Sequence, residues 1–93
     1  MTTVVHCKKA KYDVLIDRTT IFGNPFPISE TCHRSTSLAM FTSYFYRRLE
    51  KDREFRNAIE ALKDKTLGCW CKPKACHGDI IAAYLDGTND AEW

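Results

Sequence analysis

The stretch LGCWCKPKACHGD, residues 67–79, gathers three cysteines, a histidine and an aspartate around a tryptophan, two lysines and a proline. Several chemistries fit those residue types. Cys69, Cys71 and Cys76 with the His77 imidazole supply four soft donors for zinc, although the spacing C-x-C-x4-C-H departs from paired C-x2-C knuckles. A Cys76 thiol at a helix start near Lys72 and Lys74 would be an activated nucleophile, with the adjacent His77 as its base. Neighbours in sequence seldom present a thiol and its base to each other, which weighs against that pairing. The third chemistry is ligand binding where a strand turns into a helix. Free N–H groups over 75–79 would receive an anion, and Gly78 would permit close backbone approach. Trp70 would stack on a base, Lys72 would add positive charge, Cys76 and His77 would line the helix start, and Asp79 would bond a ribose hydroxyl. Each has a plainer reading: Cys69 and Cys71 as small core residues, Trp70 as core, Asp79 as a helix cap.

A second wall is offered by GNPF at 23–26, where Asn24 can bond a base edge or cap a turn and Phe26 can stack or plug the core. Arg18 and Arg34 flank that loop and carry two-pronged donors suited to phosphate or carboxylate.

These residues need a frame. TTVVHC at 2–7 and YDVLID at 12–17 read as strands, and IFGNPFPIS at 21–29, with Gly23, Pro25 and Pro27, as a shaped loop. Leu38, Met40, Phe41, Tyr44, Phe45 and Leu49 form a helical stripe from about 35 to 50, capped by Thr31 or Ser35. A second helix is expected from about 52 to 63 with Asp52 as cap, then a buried strand at 65–71 and a helix over 79–85 stopped by Gly87. A late strand followed at once by a helix lets strands lie parallel. The chain therefore reads as one α/β domain spanning 1–93, Rossmann-like, with a mostly parallel sheet and flanking helices.

Composition narrows the partners. With 93 residues and 44% hydrophobic content there is room for one core, and a bound ligand or a second copy would add to a thin stability. A net charge of +2 from 14 basic and 12 acidic side chains is too balanced for an electrostatic nucleic-acid arm. The five cysteines are an odd number, and no apolar signal core follows the start, so a reduced, cytoplasmic setting is expected. No apolar run is long enough to span a bilayer.

The chain resembles a small bacterial and phage domain family of unknown function. VVHCKK, YDVLIDR, GNPF and LGCWCKPKACHGD carry the likeness over most of the chain, and the last motif is specific. That family looks like a compact relative of the SLOG superfamily of Rossmann-like domains, which includes sensors of nucleotide-derived signals and nucleoside-monophosphate phosphoribohydrolases. The resemblance implies that Arg18, Asn24, Arg34, Trp70, Cys71, Cys76, His77 and Asp79 are the positions to suspect. Asp17 departs from the family pattern, standing where a glycine is usual, and a carboxylate there would narrow the crevice or repel a phosphate. Together these features imply a binding protein for a nucleotide-derived small molecule such as an ADP-ribose-like or cyclic-nucleotide immune signal. In a phage it would sequester that signal and blind a host defence, as a homo-oligomer and with no cofactor. The alternatives are an enzyme hydrolysing an N-glycosidic or phosphate bond through His77 and Asp79, and a small zinc protein.

Overall fold

The computed structural model describes residues 1–17, 19–26, 33–70, 72, 74 and 76–87. Their element order is β1 (Thr3–His6), β2 (Val14–Leu15), α1 (Arg34–Lys51), α2 (Arg53–Glu60), β3 (Thr66–Cys69) and α3 (His77–Asp86). The strands form one sheet in the order β1-β3-β2, and both pairings are parallel. This is the small α/β architecture expected of a Rossmann-like domain, with β3, the last strand in sequence, in the middle.

Register explains which side chains enter the core. Val4 and Val14 both lie beside Leu67, and in-register partners of parallel strands point to one face. On that face Leu67, Cys69 and Ile16 join Leu38, Phe41, Phe45, Phe55 and Ile80 in one buried cluster drawn from all three helices. Val5, Gly68 and Leu15 point the other way. The Tyr12 ring covers Gly68 so closely that a Cβ there would stand 2.6 Å from the ring. Asp13 aligns the start of β2, because its N–H donates to the Thr66 carbonyl at 2.7 Å and its carboxylate accepts from the Thr66 N–H at 2.8 Å.

Of the expected stripe, Leu38, Phe41, Phe45 and Leu49 are buried along α1 and Tyr44 is partly buried, whereas Met40 is exposed, because one residue before Phe41 it is turned about 100° away from the buried face. Phe45 lies at the centre of the aromatic packing, with ring centroids 5.5 Å from Phe41, 6.0 Å from Phe55 and 5.7 Å from Tyr84. Asp52 ends α1 and caps α2. Its N–H donates to the Arg48 carbonyl at 2.8 Å, and its side chain accepts from the Phe55 N–H at 3.1 Å and from Arg48 Nε at 3.3 Å.

Several boundaries differ from the sequence expectation. The first two strands are shorter: β1 pairs along the whole of β3, over Thr3–His6, and β2 only beside Leu67 and Gly68, over Val14–Leu15. α1 starts at Arg34 after an N-cap, His33, that makes no side-chain cap bond. Ser35 therefore lies inside the first turn, and Thr31 falls outside the described residues. α3 begins at His77, two residues before the expected start, because Cys76 serves as its N-cap. Gly87 closes it in the left-handed region, φ 74°.

Acid titration tests these caps. The Phe55 amide, helped by Arg48, holds the Asp52 carboxyl below its ordinary range, and the Thr19 hydroxyl does the same for Asp17. A carboxyl whose folded pKa is depressed stabilises the fold above its unfolded value and loses that contribution as pH falls. Thermal unfolding followed by circular dichroism is expected to show a Tm that is level near neutrality and declines below about pH 4. Asp52→Ala should lower the neutral-pH Tm by roughly 4 °C and flatten that decline.

Candidate functional site

Parallel strands deliver their carboxyl ends to one edge of the sheet, and three loops meet there. With β3 in the middle, the residue that follows it, Trp70, stands between the ends of β1 and β2. The Trp70 side chain is 53% exposed. Its indole N–H donates to Asp17 Oδ2 at 3.1 Å, the His6 ring meets it edge-to-face at 6.0 Å, and Lys8 Nζ lies 5.4 Å from its ring centroid. An ammonium at that distance is drawn to the negative face of the indole. The turn carrying Lys8 is closed by its own N–H, which donates to His6 Nδ1 at 3.1 Å.

Asp17 is anionic at this rim. Its carboxylate accepts the Thr19 hydroxyl, the Thr19 N–H at 2.9 Å and the indole N–H. The Thr19 hydroxyl is the largest influence lowering its pKa. The Asp17 carboxylate thus orients Trp70.

The start of α3 lies beside this edge. The Cys76 N–H donates to Asp79 Oδ2 at 3.1 Å, and the third backbone N–H of the helix returns to the Cys76 sulfur, a capping box with cysteine in the position usually held by serine or threonine. Lys72 Nζ meets Asp79 Oδ1 at 2.5 Å. Burial works to depress the Lys72 ammonium, but the Asp79 bond outweighs it and raises the pKa. Free N–H groups were expected here, and this is a correction: the Asp79 carboxylate already fills the positive end of the helix. Asp79 takes the capping role, with Lys72 as its counter-charge.

Cys76 and His77 point into the protein. The Cys76 and Cys69 sulfurs are buried 3.3 Å apart, and that contact, together with burial, pushes the Cys76 thiol far above its ordinary range. Burial and the Cys69 contact both favour the protonated thiol, which works against an activated nucleophile here. His77 is 7% exposed. Its Nε2–H donates to the Ile16 carbonyl at 2.6 Å, and its ring packs on Phe41 at 5.3 Å. Of the residues proposed for zinc, Cys69 and Cys76 come together, His77 is bonded to Ile16, and Cys71 lies outside the described residues. Among the described residues no group of three or more His, Cys, Asp or Glu stands close enough to hold a metal. Gly78 is required by packing, since a Cβ there would come within 2.8 Å of both Ile16 Cδ1 and Val4 Cγ1.

The second wall is built onto α1. Asn24 Nδ2 donates to Ser37 Oγ at 2.9 Å and its Oδ1 accepts from the Phe26 N–H at 2.9 Å, while the Ser37 hydroxyl donates to the Phe26 carbonyl at 2.5 Å. These bonds fasten GNPF to α1 and place Phe26 edge-on to Tyr44 at 5.9 Å. Phe26 then walls an open groove of about 530 Å³ along α1, with Met40, Tyr44 and Arg47 among its lining. Arg34, the first residue of α1, is half-buried, and Arg18 lies outside the described residues.

Trp70, Lys72, Cys76, His77, Gly78 and Asp79 therefore lie around one edge, whereas Asn24 and Phe26 sit in a loop fastened to α1. His6 and Lys8, as companions of Trp70, were missed. The signal is available: in an all-parallel sheet, the residues at and just past the end of each strand converge, and for β1 these are His6, its last residue, and Cys7 and Lys8.

The fold and this edge define a small Rossmann-like α/β domain with an aromatic and charged cluster at the carboxyl end of its sheet. Within that class the chain belongs to the family described as a domain of unknown function (DUF4326), whose model matches residues 4–87. It is similar to a phage protein, the "uncharacterized 12.4 kDa protein in nrdA-td intergenic region" of Enterobacteria phage T4. The two are 39% identical over 83 residues, 89% of this chain and 76% of that relative. No solved structure matches the chain. No helix among the described residues is long and apolar enough to cross a membrane.

Proposed function

We propose that this protein binds a nucleotide-derived small molecule at the carboxyl edge of its sheet and holds it without turnover. In a phage setting that activity sequesters an ADP-ribose-like or cyclic-nucleotide signal and blunts the host defence that depends on it. The observation that carries the reading is Trp70. A large aromatic ring is 53% exposed, yet Asp17 holds its N–H, His6 meets it and Lys8 lies against it. A ring so oriented is prepared to stack on a base, and Lys8 supplies charge for a phosphate close by. Sequestration also suits a site whose thiol is held protonated and whose histidine is buried against a carbonyl, because holding a ligand needs affinity and copy number but no acid or base.

The test is a thermal-shift screen against nucleotides, ADP-ribose isomers and cyclic oligonucleotides, with the ligand recovered and weighed by mass spectrometry. A ligand that prefers the native state raises Tm by mass action. Trp70→Ala is expected to weaken binding by roughly 5- to 150-fold, the worth of one stacked base, while the fold stays intact because the ring is exposed. A ligand recovered cleaved, or an affinity unchanged in Trp70→Ala, overturns the proposal.

A further inference from the structure

The last residue of β3 and the N-cap of α3 bring two sulfurs together. Cys69 and Cys76 Sγ are 3.3 Å apart, both buried. Because β3 pairs with strands on both sides and α3 is anchored at both ends, neither sulfur is free to drift from the other. His77 ties the start of α3 to the Ile16 carbonyl, and Asp86 ties its end to Thr2, accepting from the Thr2 N–H at 3.1 Å and the Thr2 hydroxyl at 2.9 Å. The sulfurs need to approach by little more than an ångström to reach bonding distance.

We infer that Cys69 and Cys76 form an oxidation site, a dithiol that a peroxide converts to an intramolecular disulfide, locking the turn that carries Trp70 and Lys72. Atoms and electrons balance with hydrogen peroxide as the oxidant. One sulfur attacks a peroxide oxygen, the O–O bond breaks, and a sulfenic acid forms with release of water. The second sulfur then attacks the sulfenic sulfur, the S–S bond forms, and a second water leaves. Two electrons pass from the sulfurs to the peroxide, and the two thiol hydrogens leave in the waters.

Position sets the rate and the consequence. Both thiols are buried, so oxidation waits on local opening of the turn between β3 and α3, and it is slow in the folded protein. Once formed, the disulfide closes a short ring between a strand and a helix and restricts the unfolded chain. The inference holds whether or not Trp70 binds a nucleotide.

The experiment treats the reduced full chain with hydrogen peroxide, unfolds it in an alkylating agent, and maps the peptides by mass spectrometry. The expected product lacks two hydrogens, carries a Cys69–Cys76 link, and melts at least about 4 °C higher than the reduced form. Dithiothreitol should reverse both changes. Cys69→Ser and Cys76→Ser should each prevent the link, and Cys7→Ser should not. A link between other cysteines, sulfinic acid in place of the disulfide, or a Tm unchanged on oxidation overturns the inference. So does protection of the pair by a co-purified metal that a chelator removes.

Discussion

Phe45→Ala is expected to cost about 3–5 kcal/mol of folding stability, the usual range for deleting a buried phenylalanine ring. The side chain is fully buried and touches aromatic rings from α1, α2 and α3, so no neighbour can close the void without leaving its own contacts. A domain of this size has roughly 5–14 kcal/mol in total. The loss is therefore from about a fifth of what holds the fold together to nearly all of it, and at the lower end of that stability little is left to keep the chain folded. Urea unfolding is the measurement, with the midpoint falling and the slope unchanged. Phe45→Leu, which keeps most of the apolar volume, should lose less than half as much. An alanine variant as stable as the parent contradicts the packing described for the three helices.

His77→Ala is the second large effect, and it separates two roles for that side chain. The sequence places His77 in a ligand crevice or in an acid and base pair, where alanine would weaken binding and spare the fold. The structure buries it between the Ile16 carbonyl and Phe41. Removing it leaves a buried carbonyl without its donor, at about 1–3 kcal/mol, and opens a void beside Phe41. A total near 2–4 kcal/mol is expected in urea unfolding. His77→Gln keeps a donor and should recover part of the loss. His77→Phe keeps the packing without the donor and should recover a different part. If His77→Ala unfolds at the same midpoint as the parent, the imidazole is not a structural tie.

What the sequence disclosed follows from local rules. The α1 stripe, the Asp52 cap and the Gly87 stop each depend on residues within a few positions of one another, and each lies where spacing and side-chain type put it. The start of α3 was harder because cysteine is not among the usual N-cap residues. Its sulfur accepts the helix N–H while buried against the Cys69 sulfur, a contact that local sequence rules do not disclose. Trp70 illustrates a different limit. Alternation along residues 65–71 gives its direction, but pairing ends at Cys69, so the ring stands past the last rung and is exposed. Its partners come from β1 and β2, some fifty or more positions away, and only the order β1-β3-β2 brings them together. GNPF shows a case where two roles are open from the sequence. Its polar amide and aromatic ring suggest a ligand, but Ser37 on α1 takes up both the amide and the loop carbonyl.

The central claim is that a nucleotide-derived ligand sits on Trp70 at the carboxyl edge of the sheet. The most direct measurement is an NMR titration of ¹⁵N-labelled protein with the ligand that most raises Tm, following the two indole N–H resonances, of which Trp70→Phe removes one. The account predicts that the Trp70 indole resonance and the amides of residues 6–8 and 17 move together and saturate at one equivalent per site. It is contradicted if the changes gather instead along the α1 groove beside Phe26 and Arg47, or if no nucleotide of the panel moves the Trp70 resonance.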